Sequence, residues 1–455
     1  MAINGCPECL KKQRRIDALE EENQRLKQQL GYRKRKEKEG PFGSSTPSSK
    51  LPVKANAPPG AQKKKPGAKV GHKGRGRKTF DEADADRVAE VEAPETCPSC
   101  GSELLEKGRE GRMVLESRPV KAERILYRIP KMVCSRCRRI VRPRPAGVLP
   151  KSLFGNQLVA QAASMHYLHG VPMGRVCAQI GIEPGSLMEI FHRLSRLLEG
   201  VAPRLVGQYR QSPVKHTDET GWRTGGQNGY AWLFATDKIS LFRFRRTRSA
   251  SVCREVLAAD PLPGVLVVDR YSAYNKAPCR IQYCYAHLLR DLEDLEREFE
   301  DSPEVKAFVS ALAPLLAAAM GLRSLPIPHE EWDRQARQIK KQIKAIVRSP
   351  ARHLGIRAYQ ELFRDHKKRL FHWARDRNIP ADNNLAERDL RPTVIARKTS
   401  FGSQSDKGAK TRETLMTVLH TLKKQQTDPV AHFKSALDRI ASHPNTDPFP
   451  LLFAQ

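Results

Sequence analysis

No stretch of this chain approaches the roughly 20 continuous apolar residues that a membrane-spanning helix requires, and its first residues lack the apolar core of a secretory signal. These absences set the expectation of a reduced, cytoplasmic protein without a membrane partner. In that setting ten cysteines suit metal or thiol chemistry better than disulfides. Acidic residues are also short in supply: 50 Asp and Glu face 81 Lys and Arg, for a formal net charge of +31. Such an excess points to a polyanionic partner, of which nucleic-acid backbone is the commonest, although a basic run is also often a solvated tail. Residues 31–78 have scarcely any apolar side chains and carry 15 Lys and Arg against two Glu. A segment of that kind cannot bury enough surface to order itself, so 31–80 is expected to be a basic flexible linker. Its Lys63, Lys64, Lys65, Lys73, Arg75 and Arg77 are candidates to settle onto phosphates.

The 455 residues suffice for two to four domains, each with its own core. Within 1–30, Ile16, Leu19, Asn23, Leu26 and Leu30 recur at alternating three- and four-residue spacing. This reads as a short coiled-coil helix with Asn23 at an a position, hence a homo-oligomer, or as a lone amphipathic helix. Cys6 and Cys9 ahead of it are half a site at most.

Cys97-x-x-Cys100 and Cys134-x-x-Cys137 are more specific. Two tight thiolate pairs supply a tetrahedral structural Zn2+ shell that can hold together a domain too small for a proper core. Redox chemistry at one pair is the rival. Alternation through Val114, Ile125, Tyr127 and Ile129 suggests the short strands of a zinc ribbon, assigned to 90–150 as a DNA-binding domain. Residues 151–205 read as a helical domain. Val171 to Ile180, a Gly181-Ile182-Glu183 break and Ser186 to Leu198 make a helix-turn-helix with Ser186 near the N-cap, or an ordinary helical hairpin.

Three acids carry the chemistry. Asp218 ends an extended run from Val214; Asp269 ends the apolar run Gly264–Val268; Glu387 lies in Asn383-Asn384-Leu385-Ala386-Glu387-Arg388, which reads as a helix start. Successive strand side chains alternate faces, so Asp218 and Glu219 do not both face one site. Positions 387 and 389 of a helix lie roughly 200° apart, so Glu387 and Asp389 diverge. Arg391, four residues beyond Glu387, shares its face and can hold a phosphate or orient the carboxylate. Such carboxylates suit Mg2+ (or Mn2+), which takes oxygen ligands, and two ions about 3.5–4 Å apart can serve in-line displacement at phosphorus. Each acid also has a plain structural reading: a capping box for Asn384-x-x-Glu387, an Asx turn at Asp269, and a solvated strand end at Asp218.

Around these acids the order of elements suits a mixed sheet. Strands are expected at Tyr230–Ala235, Ser240–Arg245, Gly264–Val268 and Ile281–Tyr283, with a helix near Ala250–Ala258. A helical insertion at about 288–380 is expected to lie over the active site, with a Thr414–Lys424 helix packed on the core and a tail at 431–455. Cys284-x-x-His287 has a spacing that permits a metal, but two ligands are not a site, and buried packing is the reading preferred.

The frames Asp218-Glu219-Thr220-x-Trp222, Asp269-x-Tyr271-x-x-Tyr274, Cys284-x-Ala286-His287 and Asn383-Asn384-x-Ala386-Glu387-Arg388-x-Leu390-Arg391-Pro392 resemble the bacterial transposases of the insertion-sequence-66 family. So do Arg397-Lys398, Ser405-x-x-Gly408 and the upstream Lys65-Pro66-Gly67-x-x-x-Gly71-His72-Lys73-Gly74. Gly221, Arg270 and Tyr285 depart from the Pro, Gly and Trp common in that family, but no carboxylate is lost. The resemblance implies a multidomain chain whose α/β ribonuclease-H-like catalytic domain, residues 210–430, holds an Asp-Asp-Glu triad at Asp218, Asp269 and Glu387. It implies metal-dependent cleavage of double-stranded DNA at element ends, 3′-hydroxyl transfer into target DNA, and accessory proteins from the same element. Arg391 and Lys398 join the expected DNA contacts, and a nucleoid-associated bacterial location follows. A catalytically silent end-binding regulator or domesticated transposase, a plain nuclease and a structural assembly protein are the alternatives.

Overall fold

The computed structural model describes residues 151–453 without interruption, together with 122–133, 145–150 and scattered positions within 8–26 and 135–141. Residues 18–26 are helical, with Leu19 and Leu26 exposed, as is the preceding Ile16. In the ribbon region, β1 (Met132–Val133) and β2 (Ile140–Val141) pair antiparallel. Ile125, Tyr127 and Ile129 are exposed and outside any strand, so the strands expected from their alternation are not there. Val114 lies outside the described residues.

Helices α1 (Asn156–Ala163), α2 (Met173–Ile180), α3 (Pro184–Leu197) and α4 (Val201–Gln211) lead into the sheet. The break between α2 and α3 is real, and Gly181 closes α2 at a left-handed φ of 69°. Helix α3 begins earlier than expected, however. Pro184 stands in its first turn and Glu183 is the N-cap, so Ser186 already lies inside the helix. Proline's fixed φ and missing N–H suit a first turn, where that donor has no partner anyway.

Five strands, β3 (Val214–Thr224), β4 (Gln227–Ala235), β5 (Ser240–Arg245), β6 (Val265–Val268) and β7 (Arg280–Tyr283), form a mixed sheet in the order β5-β4-β3-β6-β7. The first three run antiparallel, whereas β3, β6 and β7 are parallel. The β3–β4 hairpin turns on Gly225 and Gly226, at φ 57° and 76°. Two positive φ values give the turn whose twist matches paired antiparallel strands. Helix α5 (Ala250–Leu257) joins β5 to β6, whose four residues Val265–Val268 are all buried, as a parallel strand covered on both faces requires.

After β7 come α6 (Tyr285–Glu298), α7 (Pro303–Leu322), α8 (His329–Ile346) and α9 (Leu354–Asp365), the expected helical block. Helix α7 packs on α6 and α8. By length and composition α7 is apolar enough to cross a membrane, contrary to expectation. Its Val305, Phe308, Leu312 and Leu316 are buried against its neighbours. Residues 429–453, most of them expected to be a tail, instead form α12 (Pro429–Ser442) and α13 (Pro448–Phe453). Helix α12 packs on α1, and Asn156 Nδ2 donates to Asp438 at 2.8 Å. An apolar stripe of Phe433, Leu437 and Ile440 explains why this segment does not stay in solvent.

Between them lie α10 (Asn384–Ser400) and α11 (Asp406–Gln425). Ser405 caps α11, accepting from Gly408 N at 3.1 Å, so the helix starts eight residues before the expected Thr414. Helix α11 covers the open edge of the sheet. Thr421 and Thr417 hydroxyls accept from Ser240 N at 3.1 Å and Phe242 N at 3.0 Å, and Glu413 from Phe244 N at 3.2 Å. These side chains satisfy donors that an edge strand would otherwise offer to a foreign chain.

Candidate active site

Asp218 is not at a strand end. It lies inside the eleven-residue β3, because pairing with β4 continues to Thr224. The parallel ladder to β6 stops sooner, with His216 opposite Val267, so two residues further along each strand Asp218 and Asp269 come side by side. Both are buried, at 3% and 4% exposure. Asp218 Oδ1 accepts from Glu219 N, and Asp269 Oδ1 from Tyr271 N, each at 2.9 Å. Asp269 thus does shape its turn, and the turn aims it at Asp218. Burial, then the charges of Glu219, Asp269 and Glu387, hold the Asp218 carboxyl well above its ordinary range. Burial and Glu219 push Asp269 up to about 7, against the Tyr271 N–H, Arg248 and Arg270.

Glu219 serves these acids from behind. Its carboxylate takes Arg248 Nε and Nη2 at 2.8 and 2.6 Å and the Tyr274 hydroxyl. Arg248 in turn lies 4.1 Å over the Tyr271 ring. Of the two tyrosines of the Asp269 frame, Tyr271 thus holds the counter-charge and Tyr274 donates to the buried acid itself.

Glu387 enters on the first turn of α10, and the residue before that helix decides where it stands. Asn383, 1% exposed, donates Nδ2 to Thr217 O at 2.9 Å, while its Oδ1 meets His216 Nδ1 at 2.9 Å. Its own N–H donates to Cys284 Sγ at 3.1 Å, and Tyr285 N donates to Ala381 O at 2.8 Å. The start of α10 is thereby stitched to β3 and to the start of α6. No capping box forms: Glu387 reaches Arg290 at 3.3 Å and His287 at 3.8 Å rather than a backbone N–H at the N-cap. Asp389 does turn away, to Lys424 at 2.5 Å.

The three acids share one neighbourhood, near enough for Asp269 and Glu387 to act on Asp218. Among the described residues, the trio whose ligand atoms come within 4.8 Å of one another is Cys284, His287 and Glu387. Burial and Arg290 hold the His287 ring neutral, its pKa down to about 3.

Of the expected DNA contacts, Arg391 and Lys398 are exposed on α10, one turn and three turns beyond Glu387. Lys63, Lys64, Lys65, Lys73, Arg75 and Arg77 lie outside the described residues, as do Cys97, Cys100 and Cys134, while Cys137 is exposed. Sequence reasoning missed Asn383, Arg248 and Arg290 as partners of the acids. The doubled Asn383-Asn384 was the available signal for the first; nothing local marked the arginines.

The chain thus has a mixed sheet carrying Asp218 within β3 and Asp269 just beyond β6, with Glu387 on a later helix. Comparison with known proteins is more specific. Residues 151–411 match the Transposase IS66 family, and residues 94–138 match the zinc-finger binding domain of transposase IS66. The first match covers more than half the chain, and the chain belongs to that family. The second contains all four cysteines of the paired motif and supports Zn2+ there. Uncharacterized protein y4qI of Sinorhizobium fredii is 28% identical over 413 residues, covering 81% of this chain and 75% of the relative. Uncharacterized protein y4hP of the same organism is 23% identical over 436 residues, 82% of this chain and 75% of that protein.

Proposed function

We propose that this protein is an Asp-Asp-Glu DNA transposase that cleaves strands at element ends and directs the freed 3′-hydroxyl into target DNA at the same site. The observation that carries the reading is Asp218 beside Asp269 at the end of the β3–β6 ladder, with Glu387 pinned to the same strand through Asn383. The strand order, three antiparallel strands followed by two parallel ones on the other side of β3, supports a ribonuclease-H-like catalytic domain.

The donor set fits a hard divalent ion. Burial and neighbouring negative charge, Glu219 foremost, keep protons on Asp218 and Asp269, and a cation would favour their ionised forms. Their ligand atoms are oxygens, which suits Mg2+ or Mn2+. Such ions, when bound, activate the attacking oxygen and stabilise the leaving one. The chain's own part is to aim two carboxylates from rigid strands and to place the third through Asn383. Glu219 and Arg248 set how readily Asp269 gives up its proton near neutral pH. Arg391 and Lys398 offer exposed positive charge for phosphate, and the basic 31–80 segment adds sequence-independent attraction. Cys97, Cys100, Cys134 and Cys137 hold a structural Zn2+ in the DNA-binding finger. Residues 1–30 pair two copies, and α2–α3 present a helix-turn-helix to DNA.

Purified full-length protein with element-end DNA and Mg2+ should cleave and then yield joined product, while Asp269→Asn should do neither. Equal cleavage by the two proteins would end the assignment. Mg2+-independent binding of ends without cleavage would leave an end-binding regulator.

A further inference from the structure

Cys284 and His287 have no part in the phosphodiester chemistry proposed above, yet they flank its third acid. Their ligand atoms and a Glu387 carboxylate oxygen all lie within 4.8 Å of one another, with His287 Nδ1 3.8 Å from Glu387. Both ring nitrogens of His287 are buried without a hydrogen-bond partner. Leaving a buried polar atom unpaired costs about 1–3 kcal/mol, so an imidazole with two such atoms is unfavourable unless something else takes one of them. The sulfur accepts the Asn383 N–H at 3.1 Å.

We propose that Cys284, His287 and Glu387 form a binding site for a thiophilic divalent cation of the Zn2+ class, separate from the oxygen site at Asp218 and Asp269. One sulfur, one nitrogen and one oxygen are a donor set that Mg2+ avoids and Zn2+ or Co2+ accepts. Bonds of about 2.0–2.3 Å in a tetrahedral shell place ligands roughly 3.3–3.8 Å apart. The His287–Glu387 distance of 3.8 Å is a few tenths of an ångström longer than the roughly 3.3–3.5 Å of a nitrogen–oxygen pair, so the ligands must close slightly on the ion. Binding releases the Cys284 thiol proton to solvent, leaving a thiolate, a neutral imidazole and a carboxylate around a dication, a neutral shell with a fourth position for water. Arg290, 3.3 Å from Glu387 and 37% exposed in its side chain, is the resident counter-ion and swings toward solvent when the cation enters. Glu387 then belongs to both sites, so the bound ion fixes the orientation of the acid that faces Asp218.

The site stands on this geometry and not on the transposase reading, and the test keeps the two apart. Full-length protein is stripped of metal and titrated with Zn2+, and with Co2+ as a thiolate-sensitive optical probe. Wild type should bind one equivalent more than Cys284→Ser or His287→Gln, with the equivalent due to the finger cysteines retained in all three as a control for folding. Arg290→Ala should tighten the additional equivalent severalfold, a gain that misfolding cannot produce. Asp218→Asn should keep the thiolate-to-cobalt absorption due to Cys284 whether or not it loses cleavage. Equal metal content in wild type, Cys284→Ser and His287→Gln overturns the proposal, and so does weaker binding by Arg290→Ala.

Discussion

Replacing Asn383 by Ala tests the joint on which the placement of Glu387 depends. The side chain makes two buried hydrogen bonds at 2.9 Å, to the Thr217 carbonyl and to His216 Nδ1, from a residue 1% exposed. Truncation leaves both of those groups unsatisfied, at about 1–3 kcal/mol each. The expected loss is therefore roughly 2–6 kcal/mol, and at about 2–4 °C per kcal/mol the melting temperature should fall by at least several degrees. Asn383→Asp separates the two bonds. It keeps an acceptor for His216, whose pKa should rise from about 4 because a carboxylate now adjoins its buried ring. It also sets a carboxylate oxygen against the Thr217 carbonyl, so stability should still drop. Urea or thermal unfolding gives the first quantity, and nuclear magnetic resonance titration of the His216 ring gives the second. Strand cleavage should fall in both variants, since α10 is freed from β3 and Glu387 with it. An unfolding free energy for Asn383→Ala within about 0.5 kcal/mol of wild type would refute the reasoning, for the two bonds would then contribute nothing net.

Arg248→Ala should cost about 3–5 kcal/mol, the penalty for leaving a buried acid such as Glu219 without its cation. It should also drive Asp269 further up, so that divalent-ion binding measured by calorimetry needs a higher pH. In wild type that affinity should rise as pH climbs through about 7, where Asp269 is half deprotonated; a flat profile would count against a role for Asp269 as ligand. Folding stability should show the opposite influence of buried histidines. His166 is held down to about 3, and His216 and His420 to about 4, so each contributes stability fully present above about 6.5. That contribution is lost as pH falls toward 4, at roughly 1.4 kcal/mol per pH unit for each ring. Raised Asp218 and Asp269 oppose it by favouring the fold at low pH. Finally, Gly402→Ala should destabilise by more than about 1 kcal/mol. Its φ is 130° and a Cβ there would stand 2.2 Å from Arg223 O, in the loop that ties α10 to the β3–β4 hairpin. An unchanged melting curve would sink that expectation.

Local pattern alone determined a good part of this protein. Strand β6 came out where β-branched and aliphatic residues cluster, β5 where Leu241, Phe242 and Phe244 stand, and the helical block after β7 followed from its 3.6-residue periodicity. The divergence of Glu387 and Asp389 needed only the geometry of one helix. Errors arose wherever an element's limit is set by a partner. Strand β3 runs past Asp218 because β4 continues to pair with it; α11 reaches back to Asp406, where that residue pairs with Arg246 just beyond β5; and 429–453 folds because α1 offers its stripe a surface. The site divides in the same way. Each acid could be named from its own short frame, since a frame is a property of neighbours in the chain. That Glu219 is neutralised by Arg248, that Asn383 joins α10 to β3, and that Cys284, His287 and Glu387 share one small volume were decided by tertiary structure alone. Roughly a hundred residues, most of them helical, separate His287 from Glu387, and no periodicity in a sequence encodes a meeting that depends on how separate elements pack.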